Sequence, residues 1–343
     1  TYYGTFPNWV STYNDRQGLD FRIGEMIWGP YLPVTSYKYL TSEAKQVTFK
    51  HKFDDERRNK YRKLKTSPYA NEEVNRLVNA CLNGTSIGKD FVPDLLNIAY
   101  YAGNFDHRPA AELPMEMQDT YVRLDANLAE LLDIIDRKVG LTNTLFYITS
   151  TGYTDAQPLD ASHYRIPTGE FHIKRCAALL NLYLAAIYGE GQYVEAYHEH
   201  EIYLNHKLIE QKHLNLTEVQ ERASEFLVQF SGVKDVYSSH RLMLGSWTPE
   251  LDKVKNRYHK SCSGDLWVEV LPGWTVARDH SLDTKVVRDV YTSAPLILMG
   301  WSVHPEIIHT PIKVSHIAPT MAHFMRIRAP NASSLPPLTD ITK

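Results

Sequence analysis

Residues 94–150 carry the pattern from which the fold class can be predicted. Residues 94–100 read Asp-Leu-Leu-Asn-Ile-Ala-Tyr and residues 143–150 read Asn-Thr-Leu-Phe-Tyr-Ile-Thr-Ser, and both are apolar runs of strand length. Between them, residues 117–139 carry apolar side chains at helical spacing, and Gly140 ends the predicted helix. Strand, helix and strand in this order predict a right-handed βαβ crossover. The sequence therefore predicts an α/β fold with a mainly parallel central sheet flanked by helices.

A smaller unit interrupts this core. Past Pro158 the pattern changes to short helices and strands between two turn-rich joints, which is typical of an α+β unit. The apolar run at 294–300 is then a third core strand. The predicted domains are 1–158 (first part of the α/β core), 159–262 (inserted α+β unit) and 263–343 (second part of the core).

Composition and charge exclude several classes of protein. Of the 343 residues 43% are apolar and 22% are charged, so the chain can bury a core and is not a disordered protein. The formal net charge of −3 provides no basic field for nucleic acid. The longest apolar runs are far shorter than the roughly 20 residues that span a bilayer. We therefore expect no nucleic-acid partner and no transmembrane segment in this chain.

Cysteine and histidine give weak signals. Cys81, Cys176 and Cys262 contain no Cys-x-x-Cys pair, which argues against a zinc cluster or a disulfide framework, although pairing of Cys176 with Cys262 stays open. His198 and His200 would share one face of a predicted strand, but no third ligand is evident nearby and a structural or surface role is favoured. No Walker loop, dinucleotide fingerprint or Gly-x-Ser-x-Gly elbow occurs.

An ordered series of motifs gives a more specific signal. It resembles the alkaline phosphatase superfamily, specifically its PafA-like branch of secreted phosphomonoesterases, and covers essentially the whole chain. The motifs are Phe6-Pro7-Asn8-Trp9, Tyr31-Leu32-Pro33, Thr66-Ser67-Pro68-Tyr69-Ala70-Asn71-Glu72, Gly88-Lys89-Asp90-Phe91-Val92-Pro93-Asp94-Leu95-Leu96, Asp119-Thr120-Tyr121-Val122-Arg123-Leu124-Asp125, Ile202-Tyr203-Leu204-Asn205, Ser263-Gly264-Asp265-Leu266, Pro272-Gly273-Trp274 and Ile317-Ala318-Pro319-Thr320. The resemblance implies an alkaline-phosphatase-like core, with the inserted unit as the family's cap domain.

The resemblance also implies a chemistry. Members of the family use two zinc ions and a Thr or Ser nucleophile for in-line displacement at phosphorus. The strand and helix that carry the nucleophile and one Asp ligand would precede Thr1. Because a sheet without that strand exposes an edge, an upstream segment or a partner chain is expected to complete it.

The first ligand loop of the family falls on residues 101–107. Where the family reads Ser-Thr-Asp-Tyr-x-Gly-His, this chain reads Tyr-Ala-Gly-Asn-Phe-Asp-His. In the register favoured here, Asn104 stands where the resemblance implies a ligand Asp, and His107 arrives one residue early. A register shifted by one residue puts Gly103 at the ligand position, which also supplies no carboxylate. Asp106 and His107 are the residual ligand candidates.

The other two ligand motifs are lost. The family's Asp-His-Gly reads Thr151-Gly152-Tyr153, and Ser293 replaces the His of its Thr-His-Val-Pro. Neutral Asn, Thr, Gly and Ser side chains cannot hold a dication, since catalytic zinc needs about three ligands of N, O or S type. The prediction is a pseudoenzyme with no catalytic residue, no bound metal and no cofactor, the family's zinc having been lost.

Three functions remain after this comparison. The leading one is a catalytically inactive binding or assembly subunit outside the cytoplasm (periplasmic, at the cell surface or secreted, on the family resemblance alone). Its partner would be a protein, alone or in a membrane-associated complex. The second is a diverged metal-dependent phosphomonoesterase or phosphodiesterase with a reduced metal site around Asp106 and His107. A separate alternative is a new single-metal site made by Asp106, His107 and Asp155. The third is a small-ligand or peptide binder, because Tyr101, Phe105 and Tyr153 would line an apolar cleft.

Overall fold

A computed structural model describes residues 4–38, 48–53, 60–108, 112–150, 166–245, 248–277, 284–286 and 293–338. The chain divides into two compact units. Unit 1 comprises Thr1–Thr154 and Thr292–Lys343, and unit 2 comprises Asp155–Tyr291.

Helices and short strands follow one another in mixed order along the described part of the chain. The helices are α1 (Asn8–Gln17), α2 (Lys60–Lys65), α3 (Tyr69–Gly84), α4 (Pro114–Lys138), α5 (Ile173–Tyr188), α6 (His206–Gln211), α7 (Leu216–Leu227), α8 (Ser239–Leu244), α9 (Pro249–Lys255) and α10 (Ile317–Phe324). The strands are β1 (Ile27–Trp28), β2 (His51–Lys52), β3 (Leu145–Thr149), β4 (Glu170–His172), β5 (Val194–His198), β6 (Glu201–Leu204), β7 (Val233–Ser238), β8 (Leu266–Val270), β9 (Thr275–Ala277), β10 (Thr284–Val286) and β11 (Leu296–Gly300). No helix in the described part of the chain combines the length and apolar character of a membrane span.

In unit 1, α3 and α4 pack together around one apolar cluster. Val78 and Leu82 of α3 meet Leu131 and Ile135 of α4, and Phe146 of β3 joins them. The apolar residues of α3 recur at three- and four-residue spacing, so one stripe of the helix is buried. This cluster provides the support for β3.

The two strands that border unit 2 in the chain pair with each other. β3 and β11 are antiparallel, with Thr149 opposite Leu296 and Phe146 opposite Met299. The predicted crossover from residues 94–100 to β3 differs from this arrangement, because 94–100 is assigned to no strand. Its alternating side chains pack into the α3–α4 cluster, so the pattern that predicted a strand reflects burial on one side. Among the described strands, only β4 and β9 pair in parallel.

Unit 2 is built on a four-stranded antiparallel sheet. The strand order is β5-β6-β8-β7, and α5 and α7 contribute to one shared core with the sheet. Leu180 and Leu184 of α5, Leu227 of α7 and Leu266 of β8 are completely buried there. The sequence placed residues 263–343 in the core of the other unit, but β8 pairs with β6 and β7. The observed insertion therefore extends to Tyr291 rather than to residue 262.

Polar side chains cap the start of α7 and of α8 in unit 2. The side chain of Asn215 accepts a hydrogen bond from the Thr217 N–H at the start of α7, and Ser238 does the same for the Arg241 N–H at the start of α8. These contacts satisfy amide groups that have no partner within the helix. They explain why each helix begins directly after a strand or a turn.

Candidate functional site

The loop at residues 101–107, which contains the first candidate ligands, is held against α3. The side chain of Asn71, almost fully buried, donates to the Tyr101 carbonyl and accepts from the Tyr101 N–H, both at 2.8 Å. The Tyr101 hydroxyl then donates to the Asn104 carbonyl at 2.6 Å. Tyr101 therefore links the loop to α3 through Asn71 and stabilises the loop through Asn104.

Phe105 is a core residue. Its side chain is 8% exposed, and its ring packs edge-on against Trp28 with 5.1 Å between the ring centroids and against His51 at 4.5 Å. The expectation that Phe105 lines an open cleft is therefore corrected, because its apolar surface is already covered by the cluster around Trp28. The prediction failed because the loop is buried against the residues around Trp28, and the spacing of residues in the sequence does not show this burial.

Asp106 and His107 have unusual backbone geometry. Their φ angles are 50° and 56°, so two consecutive non-glycine residues lie in the left-handed region. The Asp106 N–H donates to Oγ1 of Thr66 at 3.0 Å, and Oδ1 of Asp106 lies 3.7 Å from a guanidinium nitrogen of Arg62. The residual carboxylate thus faces a permanent cation.

The predicted ligand positions come together only in part. Asn104, Asp106 and His107 share the one loop, while Ser293 is exposed just before β11. No hydrogen bond within the described residues joins Ser293 to that loop. The positions Thr151, Gly152, Tyr153 and Asp155 lie outside the described residues.

These residues do not fit a two-zinc centre. Across the described ranges no group of three or more His, Cys, Asp or Glu side chains is placed to hold a metal ion. The Asp106 carboxylate also has Arg62 beside it, and a guanidinium opposes the binding of a dication to the same oxygen. The chemistry that zinc would supply therefore has no support from this donor set.

His51 and Glu116 form a pair next to the loop at residues 101–107, and no sequence motif indicates this pair. Nε2 of His51 is 3.0 Å from Oε1 of Glu116, and the histidine ring is flanked by Phe105, Phe49 and Trp28. The Glu116 side chain is 8% exposed. This pair anchors β2 to the first turn of α4.

Asp119 of unit 1 is a buried carboxylate that accepts four hydrogen bonds. Oδ2 accepts from the Trp28 indole at 2.6 Å and from the Arg123 guanidinium at 2.8 Å. Oδ1 accepts from the Tyr31 N–H at 2.6 Å and from the Tyr37 hydroxyl. Burial, followed by the hydrogen bond to this carboxylate, raises the pKa of Tyr37 to about 12. The four-residue spacing of Asp119 and Arg123 on a predicted helix was the available sequence signal.

The remaining histidine and cysteine candidates belong to unit 2. His198 ends β5, Glu199 turns with a φ of 51°, and His200 stacks on Trp267, so the two histidines do not share a strand face as predicted. Cys176 and Cys262 are unpaired. Cys176 lies in the core of unit 2, which accounts for the absence of a disulfide.

A solved structure shows which fold the chain shares. The crystal structure of the wild-type alkaline phosphatase PafA is similar to this chain, with a TM-score of 0.75 at 22% sequence identity. The match covers 100% of this chain and 68% of the PafA chain. The chain therefore has the α/β fold of that alkaline phosphatase, which confirms the predicted fold class.

The family follows from the sequence match. Residues 3–293 match the model of the type I phosphodiesterase / nucleotide pyrophosphatase family, and the chain belongs to that family. Similar curated proteins are the alkaline phosphatase PafA of Elizabethkingia meningoseptica (24% identity over 99% of this chain), a calcium-transporting ATPase of Myroides odoratus (23% over 99%) and the alkaline phosphatase PhoV of Synechococcus elongatus (22% over 100%). This chain spans only 64–65% of the length of these relatives.

Proposed function

We propose that this chain is a pseudoenzyme: an alkaline-phosphatase-like protein that has lost its bimetallic centre and acts as a binding or assembly subunit outside the cytoplasm. The observation that carries the proposal is the donor set of the first ligand loop. Asn104 stands at the position of a carboxylate, and the nearby Asp106 carboxylate faces Arg62 at 3.7 Å.

The energetic argument follows from the ligands. A dication that leaves water must regain its solvation from anionic or strongly donating groups. The neutral side chains of Asn104 and Ser293 supply little of this, and Arg62 adds repulsion. The scaffold itself remains well packed, as the burial of Asn71 and Phe105 around the same loop indicates. Retention of a packed scaffold without its metal ligands favours a role in binding over a role in catalysis.

The location and the partner are parts of the same proposal. A place in the periplasm, at the cell surface or in the medium rests on the resemblance to secreted phosphomonoesterases. The partner would be a protein, alone or in a membrane-associated complex. The alternative enzyme would need a reduced metal site at Asp106 and His107, where the contact with Arg62 argues against it.

The deciding experiment measures metal and activity together. The purified protein is dialysed without chelator and its zinc is quantified by elemental mass spectrometry, with the Elizabethkingia PafA treated in parallel as the positive control. We expect zinc near zero per chain and phosphomonoester hydrolysis at the level of buffer.

A different result would overturn the proposal. Stoichiometric zinc, at about one or two ions per chain, together with hydrolysis that Asp106→Ala or His107→Ala abolishes, would establish the diverged enzyme instead. An Arg62→Ala variant provides a matched comparison. If Arg62 suppresses metal binding, its removal raises zinc uptake, whereas Asp106→Ala leaves uptake at zero.

A further inference from the structure

Helix α5 of unit 2 has apolar side chains on both of its sides. The inner side consists of buried residues, among them Cys176, Leu180 and Leu184, that pack in the core of the unit. The outer side exposes Leu179 by 46% and Leu182 by 65%. Surface helices normally carry polar residues on the outer face, so this outer face has the composition of a buried one.

The outer face has an order that a second copy of itself can match. Lys174, Ala178, Leu182 and Ala186 are all exposed and follow one another at intervals of four, which places them in one row along the helix. Glu190 is exposed just beyond the C-terminal end of α5. A two-fold rotation about Leu182 places Ala178 of one helix at the position of Ala186 and Lys174 at the position of Glu190. The row is therefore complementary to itself.

We infer that two copies of this chain associate through α5, with the helices antiparallel about a two-fold axis at Leu182. Leu182 then packs on Leu182 of the second copy. The small side chains of Ala178 and Ala186 allow the two helix axes to approach closely beside this contact. The same patch is used on both copies, as a two-fold symmetric dimer requires.

The charges at the helix ends support the antiparallel arrangement. Lys174 and Arg175 lie in the first turn of α5, where the helix dipole disfavours cations. Within the described residues, no ion pair engages these two side chains or the carboxylate of Glu190. The amino group of Lys212 bonds the carbonyl of Glu190, so the carboxylate itself stays available. In the dimer each Lys174 faces Glu190 of the second copy.

The association is weak. One face of a 16-residue helix provides less than the roughly 1,200 Å² of a stable interface. We therefore expect reversible dimers at high micromolar concentration. The inference uses only the surface of unit 2 and is independent of the proposed loss of metal.

Sedimentation equilibrium on the whole protein, at concentrations up to several hundred micromolar, is the test. Wild-type protein dimerises, and Leu182→Lys raises the dissociation constant by at least about tenfold. Leu244→Lys is the matched control, because Leu244 is 73% exposed on α8 of the same unit and should leave dimerisation unchanged. Thermal melting of each variant checks that it folds.

Charge exchange tests the orientation. Lys174→Glu and Glu190→Lys each weaken the dimer, because like charges then face each other, and the combined variant regains most of the wild-type affinity. A protein that is monomeric at every concentration would overturn the inference. A dimer that persists in Leu182→Lys, or a combined charge variant no better than the single ones, would do the same.

Discussion

The indole Nε1–H of Trp28 donates a 2.6 Å hydrogen bond to Oδ2 of Asp119, a residue 91 positions later in the chain. Both side chains are completely buried. A buried carboxylate is stable only when donors replace its lost hydration, and Tyr31, Tyr37 and Arg123 supply the others. The segment around β1 is thereby fixed to α4.

Replacing Asp119 with Asn should strongly destabilise unit 1. The amide keeps the size of the side chain but turns one acceptor oxygen into a donor. If Oδ2 is replaced, Trp28 and Arg123 lose their acceptor, and if Oδ1 is replaced, the Tyr31 N–H and the Tyr37 hydroxyl lose theirs. We expect a loss of about 3–5 kcal/mol in the free energy of unfolding, measured by urea denaturation. The exposed Asp125 on the same helix is the control, and Asp125→Asn should change the value by less than about 0.5 kcal/mol. Equal effects would contradict a special role for Asp119.

Stability should fall between pH 10 and pH 12, and Tyr37 should contribute to the fall. Burial and the bond to Asp119 raise the pKa of Tyr37 to about 12 from an ordinary value of 10. The folded state therefore holds this proton longer, so the contribution is complete below pH 10 and lost as the pH approaches 12. Between pH 10 and pH 12 the melting temperature should fall less with rising pH for Tyr37→Phe than for wild type. The half-exposed Tyr121→Phe should keep the wild-type slope.

Gly300→Ala should destabilise more than Gly140→Ala. Both glycines have positive φ, 106° and 90°, so alanine is strained at either position by about 1–3 kcal/mol. A Cβ at Gly300 would in addition overlap the backbone carbonyl oxygen of Thr144, whereas at Gly140 the nearest atom is the Asn143 side-chain nitrogen at 3.4 Å. The backbone cannot move aside as a side chain can. Calorimetric melting of both variants measures the difference, and equal losses would contradict the overlap.

Leu180 and Leu182 of α5 should respond very differently to truncation. Leu180 is completely buried, so Leu180→Ala should cost about 2–5 kcal/mol. Leu182→Ala should change the stability of the dilute monomer by less than about 0.5 kcal/mol. Chemical denaturation at low micromolar concentration separates the two, and a large loss from Leu182→Ala would mean that this side chain supports the monomer fold.

The thiols of unit 2 should differ in reactivity. Burial raises the pKa of Cys176 to about 11, which leaves very little thiolate at neutral pH, and the side chain is 3% exposed. Cys262 is exposed. Maleimide labelling followed by mass spectrometry should modify Cys262 in the native protein and Cys176 only after unfolding. Rapid labelling of Cys176 would contradict its placement in the core.

Local periodicity was a good guide to helices and a poor one to pairing. The helix predicted over residues 117–139 corresponds to α4, because its apolar residues recur at helical spacing. Residues 94–100 were predicted to be a strand because they form an apolar run of strand length, yet such a run indicates which side chains are buried and not whether the backbone pairs with a neighbour.

The site was predictable only where ordered motifs could be matched. The positions Asn104 and Ser293 come from such motifs, whereas the packing of Phe105 and the network around Asp119 depend on contacts between distant segments. Trp28 and Asp119 share no local signal. Of the Asp119 contacts, the sequence could have predicted the one with Arg123, because Arg123 follows Asp119 by four residues on the same helix.

The pairing of Thr149 with Leu296 affects how the chain reaches its native state. All of unit 2 is synthesised between these two strands, so their ladder closes a very long loop. The entropy lost in closing a loop grows with the number of flexible residues in it, and distant pairings form slowly. When unit 2 folds on the ribosome before β11 emerges, most of that loop is already ordered. The order of synthesis therefore lowers the kinetic barrier to joining β3 and β11, and refolding from denaturant is expected to be slower than folding during translation.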